Sequence, residues 1–260
     1  MITISTPRRV ELSAPARPAW SGLFSIAAIA ALASAVLLPI QIAVFVAWPP
    51  PLDGGAADWF ALLQDNRLAG LIDLDLLLVV DNILLVPILL ALFLILRRAS
   101  ASMMLVATAA GLLGVVMYAT MNPAIQMSTL SDDFATATSA EAKASAVAAG
   151  EAALAAWQGT AFHVGYLLGS LAGIVIGIAM LRSAAFSKVT AWMAIAANAV
   201  GLGLYLPGIG VFVAVFSVLF LEIWYVLVAR ALWGHAKRSR GDTAIPAGSR
   251  RASGPEAAGP

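Results

Sequence analysis

Long apolar runs, separated by short polar clusters, set the rhythm of the chain. Six of them read as helices, at about Trp20 to Trp48, Leu71 to Leu96, Ser102 to Met121, Thr160 to Leu181, Val189 to Leu206 and Gly210 to Trp233. Five run roughly twenty residues or more, long enough at 1.5 Å per residue to cross a hydrocarbon core of about 30 Å. The expected fold class is therefore all-α: a polytopic integral membrane protein with six transmembrane helices. Residues 1–19 form a leading tail and 20–233 the membrane domain. From 234 to 260 the sequence mixes Gly, Pro, Ser, Ala and Arg without apolar periodicity, which predicts a disordered basic tail.

Composition agrees with this pattern. Of 260 residues, 61% are hydrophobic and 11% charged, against about 25% charged in an ordinary soluble domain. A soluble enzyme, a disordered chain and a nucleic-acid-binding domain are excluded, so no nucleic-acid partner is expected. The chain has no cysteine and only two histidines, His163 and His235. Thiolate chemistry and multi-histidine metal or haem sites fall away with them. No HExxH, GxSxG or phosphate-binding glycine loop occurs. The expectation is no cofactor, no metal and no catalytic residue.

Charge between the runs sets orientation. Arg8, Arg9 and Arg17 precede the first run, Arg97 and Arg98 follow the second, and Arg182 and Lys188 follow the fourth. Lys237, Arg238, Arg240, Arg250 and Arg251 follow the sixth. The intervening connections carry Asp53, Asp58, Asp65, Asp132, Asp133, Glu141 and Glu151 against Arg67 and Lys143. Basic residues in every second connection place both termini in the cytoplasm. Trp20, Trp48, Trp157 and Trp233 stand near run ends, where their rings suit the headgroup layer. Ala33-Ser34-Ala35 imitates a signal-peptidase site, but the apolar run continues a dozen residues beyond it, so an uncleaved helix is expected, kinked at Pro39.

The connection at 122–158 is long enough for structure of its own. Thr138-Ser139-Ala140-Glu141 fits a capping box. Leu130, Phe134 and Ala137, then Val147, Leu154 and Trp157, follow helical spacing. One or two helices at the outer surface are expected, either as a connector or as a lid over an outward-facing pocket.

Within the apolar runs, two sets of residues stand out. Gly165, Gly169, Gly173 and Gly177 recur every four residues, a spacing that lets a second backbone approach closely. Their partner is another helix of the chain or the same helix of a second copy, making a homo-oligomer through the glycine face possible. At 100° per residue, Ser170 lies about 20° from His163 and Gly165 about 200° away, so the polar and glycine faces are distinct. The second set is polar. Asp73, Asp75, Asp81 and Asn82 lie in the second run, His163 in the fourth, Asn198 in the fifth and Glu222 in the sixth. An ionisable group at the centre of a span costs roughly 2.5 to 3.5 kcal/mol on insertion scales. Asp73 and Asp75 are close enough to the outer boundary to reach water, whereas Asp81, Asn198 and Glu222 fall near the midplane. No Lys or Arg lies deep enough to neutralise Asp81 or Glu222. Either neutral acids donate hydrogen bonds between helices, or a cation or positively charged ligand sits beside them.

Several blocks resemble a known family. Leu130-Ser131-Asp132-Asp133-Phe134-Ala135-Thr136-Ala137-Thr138, Gly150-Glu151-Ala152-Ala153-Leu154 and Gly159-Thr160-Ala161-Phe162 are similar to stretches of the bacterial six-helix membrane proteins labelled domain of unknown function (DUF) 4386. So are Asp73-Leu74-Asp75 through Asp81-Asn82, and Met180-Leu181-Arg182-Ser183 with Phe186, Ala191 and Trp192. The resemblance covers roughly residues 20 to 233. It implies a bacterial inner (plasma) membrane protein and carries over no catalytic residue.

Three functions are compatible with these residues. The first is a non-enzymatic membrane protein whose intramembrane polar residues serve helix packing, with the lipid bilayer as its partner. The second is a small carrier or sensor with a midplane pocket made by Asp81, Asn82, Asn198 and Glu222, with His163 and Asp75 nearer the outer side. Its ligand is a proton, a cation or an amphiphile. The third, an intramembrane enzyme working through paired carboxyls, lacks any nucleophile–base pair or metal set.

Overall fold

In the computed structural model of the protein, residues 20–244 are described, and their regular structure is entirely helical. The helices are α1 (Ser21–Ala47), α2 (Ala56–Asp65), α3 (Arg67–Asp73), α4 (Leu76–Leu96), α5 (Ala101–Met121), α6 (Ala124–Thr136), α7 (Ala140–Trp157), α8 (Thr160–Leu181), α9 (Lys188–Gly201) and α10 (Gly210–Ala244). A 3₁₀ turn, Leu202–Tyr205, continues α9.

Six of these helices close into a ring that follows chain order. α1 packs between α10 and α4, α5 between α4 and α8, and α9 between α8 and α10. The ring is inside-out relative to a water-soluble bundle. On α1, Ala27, Ala28, Ala30, Ala31 and Ser34 are buried, while Ile26, Ile29, Leu32, Val36 and Ile40 face outward. Lipid tails are as apolar as leucine and provide no drive to bury large side chains, so small residues take the contact faces and bulky ones the perimeter. Five helical stretches are long and apolar enough to cross a membrane: Ser21–Ala47, Leu76–Leu96, Ala101–Thr136, Ala140–Leu181 and Gly210–Arg240.

The fifth predicted run behaves differently. It forms α9, of 14 residues, and then the four-residue 3₁₀ turn. The chain reverses at Pro207-Gly208, where Gly208 has φ 77°. Gly210 then opens α10 so close to the carbonyl oxygen of Leu204 that no side chain fits there.

α2, α3, α6 and α7 gather at one end of the ring around a second core, with Trp59, Phe60 and Met127 fully buried. Trp59 meets Trp157 edge-on, ring centroids 5.9 Å apart. Glu151 on α7 accepts a hydrogen bond from the backbone N–H of Ala56 at 2.6 Å, capping α2 from a distant part of the chain. Arg67 and Asp132 form a two-pronged pair at 3.2 and 2.9 Å. At the opposite end lie Arg97, Arg98, Arg182, Lys188, Lys237, Arg238 and Arg240, all exposed.

Four expectations are corrected. The second span begins at Leu76 rather than Leu71, because Asp75 adopts the left-handed conformation (φ 64°, ψ 23°) and breaks the chain between α3 and α4. Aspartate tolerates this region better than most residues, and Asn122 helps hold the break by donating to the carbonyl of Leu74 at 2.7 Å. Asp73 does not reach water: it is 1% exposed, and neither carboxyl oxygen has a hydrogen-bond partner. The α7 cap is Ser139, whose hydroxyl accepts from the Ala142 N–H at 3.1 Å; the register is one residue later than the predicted box. Finally, 234–244 is not disordered. α10 runs on to Ala244, and His235 packs between Phe24 and Phe186 at 6.0 Å from each ring. Ala, Arg and Lys are good helix formers, and no proline intervenes before Pro246. The predicted tails at 1–19 and 245–260 lie outside the described residues.

Candidate functional site

The ring lines a partly open cavity of about 490 Å³. Its wall follows from the packing of small residues. At 1.5 Å and 100° per residue, Gly165, Gly169 and Gly173 form a ridge along α8, which meets Gly114 on α5, while Gly111 faces Leu89 of α4 and Ala172. A side chain at Gly114 would strike the carbonyl oxygen of Gly165 at 2.9 Å, and one at Gly165 would meet Met117 at 3.1 Å. Lower on the same ridge, the Asn198 amide of α9 fills the space a Gly173 side chain would need, and Ile195 stands 2.6 Å from where one on Gly177 would begin. The ridge thus serves two neighbours within the chain, α5 above and α9 below. Gly169 is the exception. A Cβ there would meet nothing within 4 Å, because that position opens onto the cavity.

Polar groups line the cavity from five helices, α4, α5, α8, α9 and α10. Asp81 is 7% exposed, and its Oδ2 accepts a hydrogen bond at 3.0 Å from the hydroxyl of Tyr225 on α10. Tyr225 lies fifteen residues into α10, about 22 Å along that helix, so the pair is deep in the ring. Asp81 Oδ1 is buried with no hydrogen-bond partner, as is Nε1 of the neighbouring Trp224. Ser34 of α1 stands beside this pair, but its hydroxyl is outside hydrogen-bond geometry. At the end of the cavity nearer the second core, Asp75 accepts from the Tyr118 hydroxyl at 3.1 Å. Asn82 and Asn198 each donate to the carbonyl four residues earlier, at 2.9 and 2.8 Å, which holds the side chain along its own helix. Tyr166 donates to the Gly201 carbonyl at 2.7 Å and places its ring on the wall.

The structure therefore brings four of the predicted polar residues, Asp75, Asp81, Asn82 and Asn198, to one cavity wall and leaves two off it. Glu222 does not line the cavity, although it is partly buried and its Oε1 has no hydrogen-bond partner. His163 is exposed and binds Tyr205 instead, Nδ1 to hydroxyl at 3.3 Å. Ser170, on the same stripe of α8, is buried and reaches the cavity. Sequence reasoning passed over Tyr118, Tyr166 and Trp224. For Tyr118 a signal exists: Gly111, Gly114 and Tyr118 fall at helical spacing on one face of α5. Among the described residues, no three of His, Cys, Asp and Glu stand together as a metal site would require.

Fold and cavity define a class: described residues whose regular structure is all helical, with five stretches fit to cross a bilayer, built around a central chamber with the carboxyls of Asp75 and Asp81 in its wall. Searches of family models, curated proteins and solved structures find no match to it.

Proposed function

We infer that the protein is a six-span protein of the bacterial inner membrane, with both termini cytoplasmic, that holds a small, mostly apolar ligand in its central cavity as a carrier or sensor. One observation carries the ligand reading. Asp81, Asn82 and Asn198, on two different helices, border a single chamber of about 490 Å³, a volume within the range of small-molecule sites. Residues used only as packing would close on one another and leave no such space.

The six-span count is supported by the length of the fifth segment. Fourteen α-helical residues at 1.5 Å and four 3₁₀ residues at 2.0 Å together reach about 29 Å, close to the hydrocarbon thickness. The collection of basic residues at one end of the ring supports cytoplasmic termini. A bacterial membrane is the location that the resemblance of the quoted blocks to the DUF 4386 proteins implies.

Two contacts favour the packing reading as a second role for the same residues. Tyr225 ties α10 to α4 through Asp81, and Asn198 fills the notch at Gly173. Gly169→Leu separates the two roles, because its Cβ would start with nothing within 4 Å and the side chain would grow into the cavity that Gly169 lines. A ligand that binds the folded protein raises its melting temperature by mass action. Screened against lipids, quinones and amphiphilic amines, wild type is expected to respond to at least one, and Gly169→Leu to lose that response while melting normally. An unchanged response in Gly169→Leu removes the cavity as the binding site.

A further inference from the structure

The charge lining the cavity is one-sided. Asp75 and Asp81 border it, and no Lys, Arg or His does. The two carboxyls differ in how they are held. Asp75 sits at a helix break and is half-buried, with one oxygen on Tyr118. Asp81 is more than nine-tenths buried; Tyr225 occupies Oδ2, and Oδ1 has no protein partner. A neutral acid used as interhelical glue would give its proton to an acceptor on a neighbouring helix. Tyr225 is the one group that hydrogen-bonds Asp81, at Oδ2, and whichever of the two donates, Oδ1 is left without a partner. A buried carboxyl that borders the chamber and keeps one oxygen without a partner suits a positive group from a ligand.

The rest of the wall restricts what that ligand can be. Tyr225, Trp224, Tyr166, Tyr118 and Phe162 contribute aromatic rings, and an aromatic face attracts an organic cation through its quadrupole. Most of the remaining surface is aliphatic or glycine. A small hard metal ion needs six or more oxygens at once, and the oxygens here are spread along the chamber: Asp75 and Asp81 are about 9 Å apart along the axis of α4.

We propose that the cavity selects organic monocations, with the charged nitrogen seated at Asp81 beside Tyr225 and Trp224 and the apolar body lying against Gly169 of α8. This rests on the cavity being a ligand site and specifies the chemistry it takes.

Matched probes test it on the full chain purified in detergent. Benzyltrimethylammonium and neopentylbenzene have the same shape and differ by a nitrogen cation in place of a carbon. Dissociation constants are obtained from the concentration dependence of the melting temperature. Wild type is expected to prefer the cation by at least about tenfold, the ratio that 1.4 kcal/mol produces. Asp81→Asn, which keeps an acceptor for Tyr225, is expected to bind the two within about twofold of each other. Equal binding of both probes by wild type overturns the charge assignment while the cavity stands. Retention of the preference in Asp81→Asn overturns the assignment to Asp81. Binding of neither probe removes the ligand site itself, and this inference with it. If Asp81→Asn fails to fold, the wild-type comparison alone still decides between charge and shape.

Discussion

Replacing Gly114 by alanine adds one methyl group where α5 crosses α8. Its carbon would stand 2.9 Å from the carbonyl oxygen of Gly165, 3.3 Å from the nitrogen of Gly169 and 3.6 Å from the Gly169 Cα. All three are backbone atoms, so no rotamer change relieves the contact and the helices must separate. Overpacking of this kind costs about 1–3 kcal/mol, roughly a 5- to 150-fold loss in the ratio of folded to unfolded protein. Gly169→Ala is the control, one turn along the facing helix, where the new methyl meets nothing within 4 Å. It is expected to match wild type or exceed it by up to about 1 kcal/mol. Both changes raise helix propensity by the same amount, at most about 1 kcal/mol, so the difference between them isolates packing. Reversible unfolding of the two variants in mixed detergent measures it. Equal stability of the pair, or a Gly114→Ala protein as stable as wild type, would refute the close approach of α5 and α8.

Tyr225→Phe removes the donor to Asp81 and leaves a second buried carboxyl oxygen unpartnered; a loss of about 1–3 kcal/mol is expected in the same unfolding assay. Glu151→Ala uncaps α2 and is expected to cost about 1 kcal/mol. Arg67→Ala breaks an exposed pair worth no more than about 1 kcal/mol. Its effect is expected to fade when melting is repeated at high salt, whereas that of Glu151→Ala persists in part through the lost cap. For topology, single cysteines are introduced at Asp53 and Ser139 and at Arg98 and Lys237. A membrane-impermeant thiol reagent added to intact cells is expected to label the first pair and spare the second; the opposite pattern inverts the orientation.

The spans were legible wherever a long apolar run ended in a clear stop. α1 and α8 match their predicted limits to within a residue because Trp48-Pro49-Pro50 and Gly159 interrupt them. The start of α4 was not legible. Its break depends on one aspartate in a left-handed conformation within an otherwise apolar stretch, and on Asn122 from 48 residues away. The far end of α10 was misread because composition alone does not separate a solvated helix from a disordered tail. As for the site, intramembrane Asp81, Asn82 and Asn198 stood out by the cost of burying them. Which residues face one another did not. In a ring with an apolar outside and an apolar inside, each helix lacks the polar stripe that would show its inward face. Hence Glu222 and His163 were grouped with the cavity that they do not line.

The ring has one further consequence, for how the protein is made. Each ring helix packs on the ring helix before it in the chain, and a single seam, α1 against α10, joins the two ends. During synthesis the wall can grow by addition to an open edge, with each hairpin finding its partner nearby. α1 alone must wait, with the small-residue face that later meets α10 uncovered, until the last helix arrives. The chamber does not exist until that seam closes, so a chain released before α10 is complete is an open arc with its carboxyls facing the bilayer.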